Sequence, residues 1–241
     1  MSNVLMIDVG GSNVKLMIAE DGEMRKIPSG QDLSAEEMVK RTLDLTKDWD
    51  FDRISLGFPG LIKAGKPVRE PLNLGGGWLD FNYAKAFGRP VRFMNDASMQ
   101  ALGNYREGRM LFIGFGTSTG ASLIVDDVVV PLEIGMLKFT KSKRFMHLLT
   151  KEALKTGGQE AWMEAVVEAV ELLQDVFNPD DTVIGGGNAQ LIEPVPAKCR
   201  AVTNRTVYVG ACRLWEDADM FATQWGTSWR IHRHPKTETV A

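Results

Sequence analysis

Three times in this chain a short apolar run stops abruptly in a glycine-rich turn, and that recurrence limits the folds open to it. Residues 4–9 run into Gly10-Gly11-Ser12-Asn13, 111–115 into Gly116-Thr117-Ser118-Thr119-Gly120, and 181–184 into Gly185-Gly186-Gly187-Asn188. Apolar runs this short, bounded by glycine, read as strands rather than helices. Glycine lets a backbone approach a ligand closely, and the exposed N–H groups of such a turn form an anion-binding nest. Hydroxyls at Ser12, Thr117, Ser118 and Thr119 add donors suited to phosphate oxygens. One such turn means little, because hairpins need glycine anyway. Three in order, with an acid (Asp8) entering the first, point to phosphate handling.

The rest of the chain fits an α/β protein. The first run returns over 14–19, making a hairpin, and Ser34-Ala35-Glu36-Glu37 is a capping box that opens a helix to about Lys47. A strand over 53–58 ends at Pro59-Gly60, and a Gly/Pro-rich loop spans 61–79. A short helix over 81–87, a strand over 90–94 and a helix over 97–105 follow. Strands are expected again over 111–115, 121–125 and 128–132, then a helix over 159–177 with Trp162, Val166, Val170, Leu173 and Phe177 on one face. A last helix covers about 208–217, and from Asp219 the chain reads as a polar tail, mobile or docking. Hairpin, helix, strand and helix thus occur twice in loose form.

Composition excludes several classes. Over 241 residues, 28 basic side chains nearly balance 31 acidic ones, against a nucleic-acid partner bound through bulk charge. No apolar run approaches the roughly 20 residues that span a bilayer, and no secretion signal is evident, so a cytoplasmic protein with no membrane partner is expected. Two cysteines and three histidines exclude a disulfide scaffold and argue against zinc. Neither G-x-x-x-x-G-K-[ST] nor G-x-G-x-x-G occurs. Ser12-x-x-Lys15 with Lys155-Thr156-Gly157 imitates serine β-lactamase signatures, but the S-D-N element is missing.

Asp96 is the sharpest single residue. It stands where a strand gives way to a helix, a common place for reactive side chains in α/β proteins, although a helix N-cap would equally favour it. Asn95 beside it offers a neutral donor and acceptor.

Taken together, Ile7-Asp8-Val9-Gly10-Gly11-Ser12-Asn13-Val14-Lys15, Gly57-Phe58-Pro59-Gly60, residues 73–78, Asn95-Asp96-Ala97, residues 116–120, Glu133-Ile134-Gly135 and residues 184–188 resemble, in order, the motifs of the ROK sugar kinases. That family lies within the actin/hexokinase/Hsp70 superfamily, and the polyphosphate/ATP-glucokinase subgroup is the nearest in pattern. The resemblance spans about residues 3–218. It implies two actin-like (ribonuclease H-like) α/β domains around an interdomain cleft, at 1–108 and 109–218, with the final helix returning towards the first and 219–241 as a tail. It implies Asp96 as general base on a sugar hydroxyl, with Asn73, Asn95 and Glu133 binding the acceptor. Gly10, Gly11, Ser12, Asn13, Lys15, Gly116, Thr117, Ser118, Gly185, Gly186 and Gly187 would hold the phosphates or nucleotide. Asp8 would lie by Mg²⁺, directly or through water, with ATP or polyphosphate as donor and no zinc. A homodimer is a further expectation.

Three positions depart from the pattern: the Gly-Thr-Gly of the second phosphate motif is Gly116-Thr117-Ser118, a mild change that keeps a donor, and two more follow Glu133. Where the family has Glu-x-Gly-His-x-Glu, this chain has Glu133-Ile134-Gly135-Met136-Leu137-Lys138. Altered partners in a hydroxyl-binding site alter substrate choice, and Lys138 suggests an anionic acceptor. A sugar-sensing pseudokinase on the same fold is the alternative. A repressor of the family would need a DNA-binding helical module ahead of the first strand, which begins here near Asn3. An actin-like polymer has only fold analogy behind it.

Overall fold

The computed structural model describes residues 3–223 and 226–232. In chain order its regular elements are β1 (Val4–Val9), β2 (Asn13–Met17), β3 (Arg25–Pro28), α1 (Ala35–Leu45), β4 (Arg53–Phe58), β5 (Ile62–Lys63), β6 (Lys66–Pro67), α2 (Tyr83–Phe87), β7 (Val91–Asn95) and α3 (Asp96–Asn104). There follow β8 (Arg109–Phe115), β9 (Thr119–Val125), β10 (Val128–Leu132), α4 (Lys151–Gly157), α5 (Gln159–Phe177), β11 (Asp181–Gly185), β12 (Cys199–Ala201), α6 (Thr206–Glu216), β13 (Ala218–Thr223) and β14 (Gly226–Ile231).

These strands build two mixed sheets on one plan. The first has the order β3-β2-β1-β4-β7, a three-stranded antiparallel meander continued by two parallel strands. The second repeats it as β10-β9-β8-β11-β12 and adds β14 and β13 beyond β10. Parallel strands need crossover connections, which α1, α2 and α5 help to supply. Central strands here are buried on both faces: every residue of β1 is buried, Asp8 included, as expected for a sheet covered on both sides.

The local chemistry explains the helices. Ser34 Oγ accepts from Glu37 N at 3.2 Å, so the N-cap forms. The reciprocal half of the expected box does not, because the Glu37 carboxylate turns to Arg41, 2.7 Å away. α5 covers the span its periodicity predicts and buries Trp162, Val166, Val170 and Leu173.

Helices α3 and α6 pack together between the sheets, and they approach so closely that glycine is required on both. A Cβ on Gly103 would stand 2.1 Å from Thr206 O, and one on Gly210 1.9 Å from Met99 O. α6 also ties to the first sheet: Ser55 Oγ donates to Ala211 O at 2.7 Å and accepts from Trp215 Nε1 at 2.9 Å.

The expected polar tail from Asp219 is corrected by the structure. Residues 218–223 and 226–231 pair antiparallel as β13 and β14, and β14 joins the second sheet where Val128 and Val129 pair with Arg230 and Trp229. Arg230 stands between Trp229 and Ile231 on β14, and Ile231 is 3% exposed. The end of the expected tail, 233–241, lies outside the described residues. Among the described residues no helix is long and apolar enough to cross a membrane.

Candidate active site

The three glycine-rich turns converge between the sheets. The first follows β1, the second joins β8 to β9, and the third follows β11. Together with α3 they enclose a cleft compartment of about 270 Å³ lined by Asp8, Gly10, Gly11, Ser12, Asn13, Lys15, Asp96, Gly116, Thr117, Ser118, Gly186 and Gly187, among others. Gly185 is not part of this lining. It is buried beneath, where a Cβ would come within 2.7 Å of the Phe112 ring. Gly186 has φ +87°, and a Cβ there would stand 2.3 Å from Phe115 O, so this bend admits only glycine without strain.

A second compartment, about 170 Å³, adjoins the first. It holds Asn73, Asn95 and Glu133 and shares Gly11, Pro59, Asp96, Thr117, Ser118 and Gly120 with its neighbour. Asp96 therefore stands at the junction of the two. The first and second glycine-rich turns also touch: Ser12 Oγ and Thr117 Oγ1 are 3.2 Å apart.

Asp96 is not the helix cap that its position could have made it. Asn95 does that work, its Oδ1 accepting from Ser98 N at 3.1 Å while its Nδ2 donates to Gly60 O at 3.2 Å. Asp96 is the first residue of α3, and its Oδ1 accepts only the adjacent Ala97 N–H at 2.8 Å. Burial, reinforced by the charge of Asp8 and then of Glu133, pushes its carboxyl up to about 7. The two acids crowd because Gly57 lies between them. A Cβ there would be 3.6 Å from Asp96 Cα and 3.7 Å from Asp8 Oδ1, and would collide with Met99.

Asp8 is 4% exposed, and Lys15 Nζ donates to its Oδ2 at 3.0 Å. Asp8 in turn raises the Lys15 pKa, against the opposing effect of burial. The donor set suits Mg²⁺ rather than a metal that needs a protein cage. Among the described residues no cluster of three or more His, Cys, Asp or Glu could hold an ion. Mg²⁺ usually takes one or two carboxylates and completes its shell with water and substrate phosphates.

Sequence reasoning missed three residues of the first compartment: Lys151, Gln100 and Asn204. Lys151 opens α4 after the Thr150 cap, and its backbone N–H bonds Gly116 O at 2.6 Å, which fixes it beside the second turn. No local pattern announces that contact. Asn188, part of the third turn, is 7% exposed and its Nδ2 has no hydrogen-bond partner. A buried amide in that state calls for a ligand oxygen or water. Lys138 is exposed, pairs in a short bridge with Arg144 and does not line the second compartment.

By sequence alone, the chain matches no family profile and no curated protein. By structure, its neighbours include sugar kinases of the ROK family, and it has their two-domain, actin-like α/β fold. One is an inorganic polyphosphate/ATP-glucomannokinase from Arthrobacter sp. strain KM (TM-score 0.74, 22% identity), covering 88% of this chain and 97% of that one. Another is a ROK family glucokinase from Streptomyces griseus, solved with glucose and AMPPNP (TM-score 0.70, 16% identity, 88% and 99% covered). A third is a putative N-acetylmannosamine kinase from Listeria monocytogenes (TM-score 0.66, 16% identity, 87% and 97% covered).

Proposed function

We propose that this protein is a Mg²⁺-dependent kinase that transfers a phosphoryl group from ATP or polyphosphate to a sugar hydroxyl, with Asp96 as general base. The observation that carries this reading is the place of Asp96: relieved of capping by Asn95, at the junction of a glycine-lined compartment and one lined by Asn73, Asn95 and Glu133. A hydroxyl is a poor nucleophile at neutral pH. A carboxylate that removes its proton as the bond forms contributes about 10²- to 10⁴-fold, most effectively when its pKa lies near the working pH. A carboxyl at about 7 meets that condition.

The glycine-lined compartment is read as the donor site. Its turns offer backbone N–H groups to phosphate oxygens, while Lys15 and Lys151 add positive charge. Asn188 Nδ2 is positioned to give one more donor. Asp8 would hold Mg²⁺, directly or through water, and the ion would neutralise charge on the transferred group. Alignment between the lobes supplies much of the remaining acceleration. A recess of about 280 Å³ lined by Gly186, Gly187, Ala189, Gln190, Ala201, Val202, Thr203 and Asn204 continues outward from this compartment. Its apolar walls favour a nucleotide over a bare phosphate chain. In this reading the lobes are 1–108 and 109–218, with the β13–β14 pair belonging to the second.

The test is a coupled assay of the purified protein against a panel of sugars, with ATP and polyphosphate supplied separately. Transfer to at least one sugar, abolished in Asp96→Asn, supports the reading. Sugar binding with no transfer from either donor would make the protein a sensor.

A further inference from the structure

The acceptor compartment is walled unevenly. Asn73, Asn95, Asp96 and Glu133 supply its chemistry, yet three large apolar side chains on its lining are left in water: Leu72 at 86% exposure, Met136 at 55% and Met146 at 40%. Scattered single exposures of this kind need no explanation, but a group gathered on one cleft marks a surface that is covered in use.

The two methionines are held in place rather than left on a loose loop. Met136 ends the 3₁₀ turn Ile134–Met136, and Met146 is central in the turn Phe145–His147. The turns abut: a Cβ on Gly135 would be 3.7 Å from Met146 Cβ. Phe145 anchors the second turn in the core, its N–H bonding Leu137 O at 3.0 Å and its ring lying 5.0 Å from Phe139. Arg144 Nη1 donates to Met136 O at 3.0 Å. The backbone is pinned, while the unbranched, polarizable side chains can adapt to an irregular apolar shape. Leu72 reaches the same compartment from the first lobe, its carbonyl accepting from Gln31 Nε2 at 3.2 Å. An occupant would therefore meet apolar surface from both lobes while its hydroxyls face the acids and amides.

We infer that the acceptor is a polyhydroxylated ring bearing an apolar substituent, which seats on Met136, Met146 and Leu72 beside the reacting hydroxyl. This rests on the kinase reading for the role of Asp96 but not for the binding itself. The substituent could enter through a glycosidic link or as an N-acyl chain; the chemistry recognised is the same.

The test measures binding by calorimetry, without donor, for glucose, phenyl β-glucoside and N-hexanoylglucosamine, and then transfer to each from ATP and, separately, from polyphosphate. At least one substituted sugar is expected to bind about tenfold tighter than glucose, the gain from burying some tens of Å² of apolar surface. Which one does so identifies the linkage. In the double variant Met136→Gln/Met146→Gln that ratio is expected to fall to about one. Equal or tighter binding of glucose, no binding of any of the three, or an unchanged ratio in the double variant overturns the inference. A preference in binding without transfer overturns the kinase and spares the acceptor class, whereas transfer to glucose without preference does the reverse.

Discussion

The two halves of the cleft are made of different material. The compartment read as the donor site gathers glycine bends at Gly10-Gly11, Gly116 and Gly186-Gly187 beside Lys15 and Lys151. The one read as the acceptor site draws polar and apolar side chains from the 71–74 loop, from α3, and from the turns around Glu133 and Met146. Phosphate oxygens ask only for N–H groups and positive charge, which almost any sequence can supply if glycine permits the bend. Hydroxyls and apolar groups ask for particular side chains at particular places. In the kinase reading the first half would serve many acceptors, and the second would decide which.

That contrast can be broken most sharply at the residue common to both halves. Asp96→Asn is expected to lower kcat by about 10²- to 10⁴-fold while leaving sugar and donor binding within a few-fold, as steady-state kinetics and calorimetry together would show. A matching loss of binding would mean that Asp96 holds its ligand rather than deprotonating it.

A blow to the donor side alone comes next in size. Gly186→Ala forces a side chain into a left-handed bend against Phe115 O, and should cost about 2–4 kcal/mol in urea unfolding. The surviving folded fraction should lose ATP affinity and keep its sugar affinity. If both affinities fell together, the halves would not be independent.

Smaller again is the effect of pH on the unliganded protein. The Asp96 carboxyl stands at about 7 in the fold against roughly 3.9 in an unfolded chain. Its contribution to stability is therefore complete below pH ~4 and is lost as pH rises through ~7. Asp96→Asn should accordingly melt higher than the native protein at pH 8, by about 1–2 kcal/mol or roughly 3–6 °C, and the gain should vanish near pH 4. Scanning calorimetry across that range would measure it, and a gain independent of pH would assign the effect to packing.

The smallest change falls on the acceptor side. Thr119 Oγ1 is buried there without a hydrogen-bond partner, so Thr119→Val should leave unfolding free energy within about 0.5 kcal/mol or raise it slightly. A large destabilisation in chemical denaturation would show that the hydroxyl is satisfied after all.

The same contrast governs what was legible beforehand. The predicted phosphate-site residues were legible because three glycine-rich turns follow apolar runs in order, and every one of those residues but Gly185 lines the first compartment. Gly185 differs because β11 extends one residue further than its apolar run suggests, and Phe112 then covers it. The doubled sheet plan was visible as repeated hairpins and strands. The β13–β14 pair was not, since its burial depends on β10, some ninety residues earlier in the chain. Nor could local sequence decide between Asn95 and Asp96 as the cap of α3. Either side chain can cap, and only the distance to Ser98 N shows which one does. Lys151 was hidden for a like reason: what sets it beside Gly116 is a main-chain bond between distant segments.

The contact between Ser12 and Thr117 ties two glycine-rich turns together, and both compartments open onto Asp96. In the kinase reading each reactant would have its own seat at that carboxylate, so neither would have to vacate it for the other.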